Sequence, residues 1–175
     1  EGLLADVRAG QAWRLFTPAL LHFGLEHIIG NGLAMLYFAG LVEGRRGPAR
    51  LIVLVLVLAL VSNLAQYFLG GFHVGERGLV WAPSRNFGGL SGVVYGLVGW
   101  LWMKSSREPE LGVDLPPPVL GMALMWFVLC WTGVLGPVAN VAHAAGLLAG
   151  LAIAWFPSQH DPEPAAGSEE EETTL

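Results

Sequence analysis

Ser91 and His143 stand in apolar sequence that has little tolerance for polar groups. Ser91 lies in Gly88-Gly89-Leu90-Ser91-Gly92 and heads an apolar run to Met103. His143 lies in Asn140-Val141-Ala142-His143 and heads the run to Phe156. Hydroxyl and ionisable groups at membrane depth are costly, and where they persist they usually work. A serine hydroxyl becomes a useful nucleophile only when a base takes its proton, and histidine is the usual base because its pKa lies near neutrality. The pair therefore points to hydrolysis inside a membrane.

Other residues fit the same chemistry. Glycines on both sides of Ser91 permit close approach of backbone and substrate. A serine at a helix start leaves unpaired backbone N–H groups free to hold a developing oxyanion. His27 and Asn31 are spaced i, i+4 and share one helix face, where their side chains could complete an oxyanion hole. One such donor is typically worth about 3–4 kcal/mol of transition-state stabilisation. No Asp or Glu lies near His143 in its span, so the base is expected to act in a dyad, oriented by packing. Tyr95, one helical turn after Ser91, is placed to stack on the imidazole.

The elements that must position these groups are hydrophobic segments. Residues 1–23 are mixed and amphipathic, and suggest a segment at the membrane surface. Spans are expected at about 25–42, 49–69, 90–103, 119–132 and 138–156, with a tight charged turn at Glu43-Gly44-Arg45-Arg46-Gly47-Pro48 and polar loops at 70–87 and 104–118. Roughly 20 apolar residues cross a bilayer, so the third span is short and should begin below the surface, at the end of a loop that dips in. Such a loop survives at depth only when buried in protein or lining a wet cavity. Arg45, Arg46, Arg50, Lys104 and Arg107 fall on one side, which lysine and arginine bias makes cytoplasmic. The opposite side, with Arg8, Arg14, Arg77 and Arg85, then holds the starts of the first, third and fifth spans. His27, Asn31, Ser91 and His143 converge there at one depth.

Composition agrees. The 175 residues are 54% hydrophobic and 13% charged, with seven Trp and 24 Gly, which is a membrane composition forming one domain over 1–157. The net charge of −5 is dominated by a tail at 158–175, where Glu169 to Glu172 run together in Pro/Ala/Glu-rich sequence expected to be disordered. No basic patch suggests nucleic acid as a partner. Cys130 is the single cysteine, so no internal disulfide forms, and it is expected to be a small core residue.

Taken together, these segments resemble the rhomboid intramembrane serine proteases of the bacterial GlpG type. The resemblance is carried by Trp13-Arg14, by His22-Phe23-Gly24-Leu25-Glu26-His27-Ile28-Ile29-Gly30-Asn31, by Gly89-Leu90-Ser91-Gly92 with Tyr95, and by Ala139 to Gly146 continuing to Gly150. It covers about residues 11–156. It implies an all-α, polytopic transmembrane helical bundle of the rhomboid fold. It also implies Ser91 as nucleophile, His143 as general base, and an oxyanion hole of His27, Asn31 and the Ser91 backbone N–H, with Gly89 shaping the loop and Tyr95 in support. The implied activity is an endopeptidase cleaving transmembrane protein substrates within the lipid bilayer, with neither metal nor cofactor. The implied location is the bacterial inner (cell) membrane, as a multi-pass protein with its site toward the outer face. The family core has six spans and five are found, so the chain, which begins with Glu1, is expected to be a fragment lacking the first. The loop 72–87 is longer than the family's connection there and could alter access to the site. Substrate identity, recognition sequence and oligomeric state are not legible.

Each residue also has a plainer role. A lone serine in a membrane helix commonly bonds back to a carbonyl. Gly89-x-x-Gly92, Gly92-x-x-x-Gly96 and Gly146-x-x-x-Gly150 could be packing devices, although close packing would itself bring His143 to Ser91. His27 and Asn31 could be structural glue, and His143 alone a proton relay. His22 is expected to be structural or part of a gate. Arg14, Glu43, Asn63 and Gln66 are expected to be structural anchors, with Glu43 accepting hydrogen bonds from its own turn or a neighbouring helix. A zinc site from His22, His27 and His143 lacks a carboxylate in ligand-like spacing. A catalytically inactive rhomboid-like binder of membrane proteins is the main alternative, and the presence of both nucleophile and base speaks against it. A small transporter would want paired repeats, which are absent.

Overall fold

The computed structural model describes residues 3–75 and 78–158. A short helix α1 (Leu3–Arg8) and two 3-10 turns (Ala12–Leu15 and Thr17–Leu20) lead into α2 (Leu25–Leu69). A hairpin β1 (Phe72–Gly75) and β2 (Gly78–Trp81) follows, then α3 (Ser91–Arg107), a 3-10 turn, α4 (Pro117–Trp131) and α5 (Asn140–Trp155). From residue 159 the acidic tail, with His160, lies outside the described residues, as does Arg77.

α2 is two spans rather than one. Gly47 sits at φ 75° and ψ 163°, followed by Pro48. Proline removes a backbone donor and keeps its predecessor out of the helical region, and glycine adopts the positive φ that results without strain. The limbs 25–46 and 48–69 fold back on each other there, so the expected charged turn is the point of reversal. Glu43 is exposed beside it.

α3 is the central helix. Every residue from Gly92 to Leu101 is buried, which marks a helix surrounded on all sides. Val93, Leu97, Val98 and Leu101 pack against Leu54, Leu58 and Val42 of α2. α5 lays a stripe of Ala142, Gly146, Gly150 and Ala154 against α3. A Cβ on Gly146 or Gly150 would overlap the carbonyl oxygen of Gly92 or Gly96 respectively, so the two helices touch backbone to backbone. α4 lies outermost and buries only Cys130.

Among the described residues, only α2 is long and apolar enough to pass for a full crossing; α4 and α5 are apolar but have 15 and 16 residues. At 1.5 Å per residue they reach about 23–24 Å, short of a typical hydrocarbon core.

Two expected loops differ from the structure. The segment 70–87 contains the hairpin, in which Phe72 pairs with Trp81 and Val74 with Leu79. β-branched and aromatic residues on both arms outweigh the glycines between them. α3 also runs past Met103 to Arg107, so Lys104 is helical and buried rather than part of a loop. Its Nζ donates to Glu108 Oε1 at 2.6 Å and to the Phe156 carbonyl at 2.7 Å. Those two acceptors are what allow the lysine ammonium to be buried there.

Candidate active site

Ser91 is the first residue of α3, and the loop before it is held from several sides. Gly89 N–H donates to the Pro18 carbonyl at 3.0 Å, tying the loop to the 3-10 turn Thr17–Leu20. A Cβ on Gly88 would meet Leu21 Cβ at 2.7 Å and the Pro18 carbonyl at 2.9 Å. Gly89 adopts φ 117°, where L side chains are strained. This irregular backbone is thus packed in protein, as its depth requires.

The depth follows from packing. A Cβ on Gly92 would meet Ser62 Cβ at 2.8 Å. α2 continues seven residues beyond Ser62 to Leu69, a rise of roughly 10 Å. Ser91 therefore lies well below the end of the neighbouring span.

His143 Nε2 is 2.7 Å from Ser91 Oγ. His143 is only 3% exposed, and its Nδ1 has no protein hydrogen-bond partner among the described residues. The Tyr95 ring lies 4.8 Å from the imidazole, tilted by 44°. Tyr95 is itself fixed by its hydroxyl, which donates to the Ala123 carbonyl at 3.3 Å, and by edge contact with Phe127 at 5.4 Å. The imidazole is thus oriented by an aromatic wall and by the serine.

His27 and Asn31 converge on Gly89 from the first limb of α2. A Cβ at Gly89 would meet His27 Nε2 at 2.7 Å and Asn31 Nδ2 at 3.2 Å. Glycine at 89 therefore keeps open the space that both side chains face. Phe23 N–H donates to His27 Nδ1 at 3.4 Å, which places the neutral ring's proton on Nε2, the atom facing that space. Asn31 Nδ2 is buried without a protein acceptor among the described residues. Two donors are thus directed beside Ser91, and that of Asn31 has no protein acceptor among the described residues.

The supporting polar residues act more specifically than their sequence suggested. Gln66 Oε1 accepts from Ala142 N at 3.0 Å, which fixes the backbone next to His143. Asn63 Nδ2 donates to the Leu15 carbonyl at 2.9 Å, and Asn140 Nδ2 to the Cys130 carbonyl at 3.1 Å. Arg14 bonds Gln11 Oε1 at 2.6 Å and stays at the surface. His22 rests edge-on against His27 at 5.0 Å, with Nδ1 3.1 Å from the Leu20 carbonyl. Ser62, buried against Gly92, gave no sequence signal; its hydroxyl donates back to the Leu58 carbonyl at 2.6 Å.

A model of the rhomboid domain matches residues 9–160. The chain belongs to the rhomboid family. It is 40% identical over 155 residues to the rhomboid protease GlpG of Pectobacterium atrosepticum, covering 88% of this chain and 51% of that protein. It is 39% identical over 151 residues to the rhomboid protease GlpG of Klebsiella pneumoniae subsp. pneumoniae, covering 86% of this chain and 50% of that protein. The chain thus spans about half the length of the curated relatives it matches. As a rhomboid it is an integral membrane protein of all-α fold, and many large Leu, Val, Ile and Trp side chains are exposed on its surface.

Proposed function

We propose that this rhomboid chain is the catalytic core of an intramembrane serine endopeptidase, within a membrane domain spanning residues 1–157. The single observation that carries the proposal is the 2.7 Å contact of Ser91 Oγ with His143 Nε2, beside the His27 and Asn31 donors that converge on Gly89. Ser91 Oγ attacks the carbonyl carbon of a substrate peptide bond while His143 Nε2 takes its proton. The negative charge moving onto the carbonyl oxygen is met by His27 Nε2–H, Asn31 Nδ2–H and the Ser91 backbone N–H. Collapse of the tetrahedral intermediate breaks the C–N bond, and the leaving amine takes the proton from His143. Water then attacks the acyl-serine, losing its proton to His143, and the carboxyl product leaves as Ser91 regains its hydrogen. Among the described residues no carboxylate supports the imidazolium; the Tyr95 face beside it supplies a weaker cation–π attraction.

The substrates are transmembrane proteins, since Ser91 lies roughly 10 Å below the end of α2 and a soluble chain would have to enter the bilayer. The arginine-rich turn at 43–48 favours placing the opposite, Ser91-bearing end at the outer face of a bacterial inner membrane. Ser91→Ala should abolish cleavage of a transmembrane reporter and labelling by a fluorophosphonate probe, with the protein still folded. Cleavage retained by that variant removes Ser91 from the chemistry. A wild-type protein that takes no probe would be a binder of membrane proteins rather than a protease.

A further inference from the structure

The hairpin β1–β2 carries apolar side chains that no protein group covers among the described residues. Phe72 is 50% exposed, Val80 41% and Trp81 47%. Phe72 and Trp81 are cross-strand partners, so they project from the same face of the hairpin. A two-stranded hairpin has little stability in water on its own, so something outside it must hold it.

Part of that hold is the end of α2. Trp81 Nε1–H donates to the Phe68 carbonyl at 2.6 Å, Ala82 N–H to the Gly71 carbonyl at 3.2 Å, and Ser84 N–H to the Tyr67 carbonyl at 3.1 Å. The indole's polar edge is thereby satisfied by the last turn of a membrane helix, while its apolar body stays uncovered. The exposed surface is also continuous with the lipid-facing side of that helix, because Leu69, 57% exposed, directly precedes the hairpin. The height agrees: the hairpin stands at the end of α2, roughly 10 Å above the level of Ser91. An aromatic residue with an apolar body and a bonded polar edge at such a level is the kind that collects at the membrane–water interface.

We propose that the Phe72–Trp81 pair is a lipid-binding foot, seated among the headgroups and upper acyl chains of the leaflet nearer Ser91. The occupant is lipid rather than protein because the patch continues the surface already in contact with lipid. The chain leaves β2 directly into the 82–90 loop that ends at Ser91, so the foot sets the height of that loop. This rests on the membrane embedding of α2 and not on catalysis.

The test places an environment-sensitive fluorophore at Phe72→Cys, in a Cys130→Ala, Ser91→Ala background of the full-length protein, in phosphatidylcholine vesicles. Bromine on the upper acyl carbons should quench the label at least twofold, and more than bromine near the chain ends. Aqueous iodide should quench it weakly. Strong iodide quenching with no effect of brominated lipid overturns the proposal. So does lipid quenching that appears only after a transmembrane substrate is added, since the patch would then be a substrate surface. A second label at Leu69→Cys, on the adjoining exposed end of α2, must also be quenched by brominated lipid, which guards against local unfolding at one site. The serine is absent throughout, so failure of the foot is distinct from failure of the protease assignment.

Discussion

Gly146→Ala should separate Ser91 and His143, the proposed catalytic pair, without touching either. Gly146 lies three residues from His143, on the stripe that α5 lays against α3, and the carbonyl it presses belongs to Gly92, next to Ser91. A methyl group there overlaps that oxygen, and relief to normal contact needs the helices to part by about 1 Å or more. The Ser91–His143 distance of 2.7 Å would then pass the limit of a hydrogen bond. A misplacement of that size in a reacting pair costs about 100-fold in rate. Overpacking of the interface costs about 1–3 kcal/mol of stability, offset in part by the roughly 1 kcal/mol that alanine gains over glycine in a helix. Gly150→Ala makes the same overlap with the Gly96 carbonyl one turn further from the dyad. The assay is kcat/KM on a transmembrane reporter alongside thermal unfolding in detergent. Gly146→Ala should lose much more activity than Gly150→Ala at similar loss of stability. Equal losses of activity, or near wild-type turnover by Gly146→Ala, would refute the link between helix approach and dyad geometry.

Other perturbations test other parts of the site. Asn31→Ala should lower kcat by about 100- to 1000-fold with little change in substrate binding, as loss of one oxyanion donor does; unchanged kcat takes Asn31 out of the hole. Gly89→Ala, strained at φ 117° and colliding with His27 Nε2, should do at least as much damage, and crystallography of the variant should show His27 displaced. Gln66→Leu leaves the Ala142 N–H buried without its acceptor, at about 1–3 kcal/mol, read as a lower melting temperature. At Glu108, burial alone would raise the carboxyl pKa, but hydrogen bonds from Lys104 and Ser158 hold it below the usual carboxylate range. That contribution to stability is complete above the ordinary carboxylate pKa and is lost as pH falls toward the lowered value. Glu108→Gln should therefore be less stable than the wild type at neutral pH, with the difference shrinking as pH falls through the carboxylate range; a pH-independent difference would refute the linkage.

Much of this arrangement was legible because its constraints are local in sequence. His27 and Asn31 share a face by helical spacing alone, and the Gly-Pro pair at 47–48 marks a break in the helix. The stripe Ala142, Gly146, Gly150, Ala154 shows that α5 must approach something closely. It does not show that the partner is the backbone of α3. Other features depend on partners distant in sequence. Gln66 reads as a polar anchor until its bond to Ala142 N, 76 residues away, is seen. Lys104 reads as the start of a loop because its two acceptors, Glu108 and the Phe156 carbonyl, come together only when α5 packs on α3. The hairpin was hidden by the glycines and charges around it, which signal a loop more strongly than short strands signal pairing.

A serine–histidine pair without a carboxylate raises the question of what fixes the imidazole. Elsewhere a buried acid both selects the tautomer and steadies the cation. Here Ser91 Oγ and the Tyr95 ring bound the imidazole on two sides, and Gln66 pins the backbone at Ala142 beside it. Burying an additional carboxylate at this depth would carry a large desolvation penalty. Orientation by packing avoids that penalty but makes the site depend on helix approach. Tyr95→Leu should therefore fall more in kcat than in KM, and Tyr95→Phe, which keeps the ring and loses only the bond to Ala123, should retain most of the rate. Equal loss in both variants would mean that the hydroxyl, not the aromatic face, holds His143 in place.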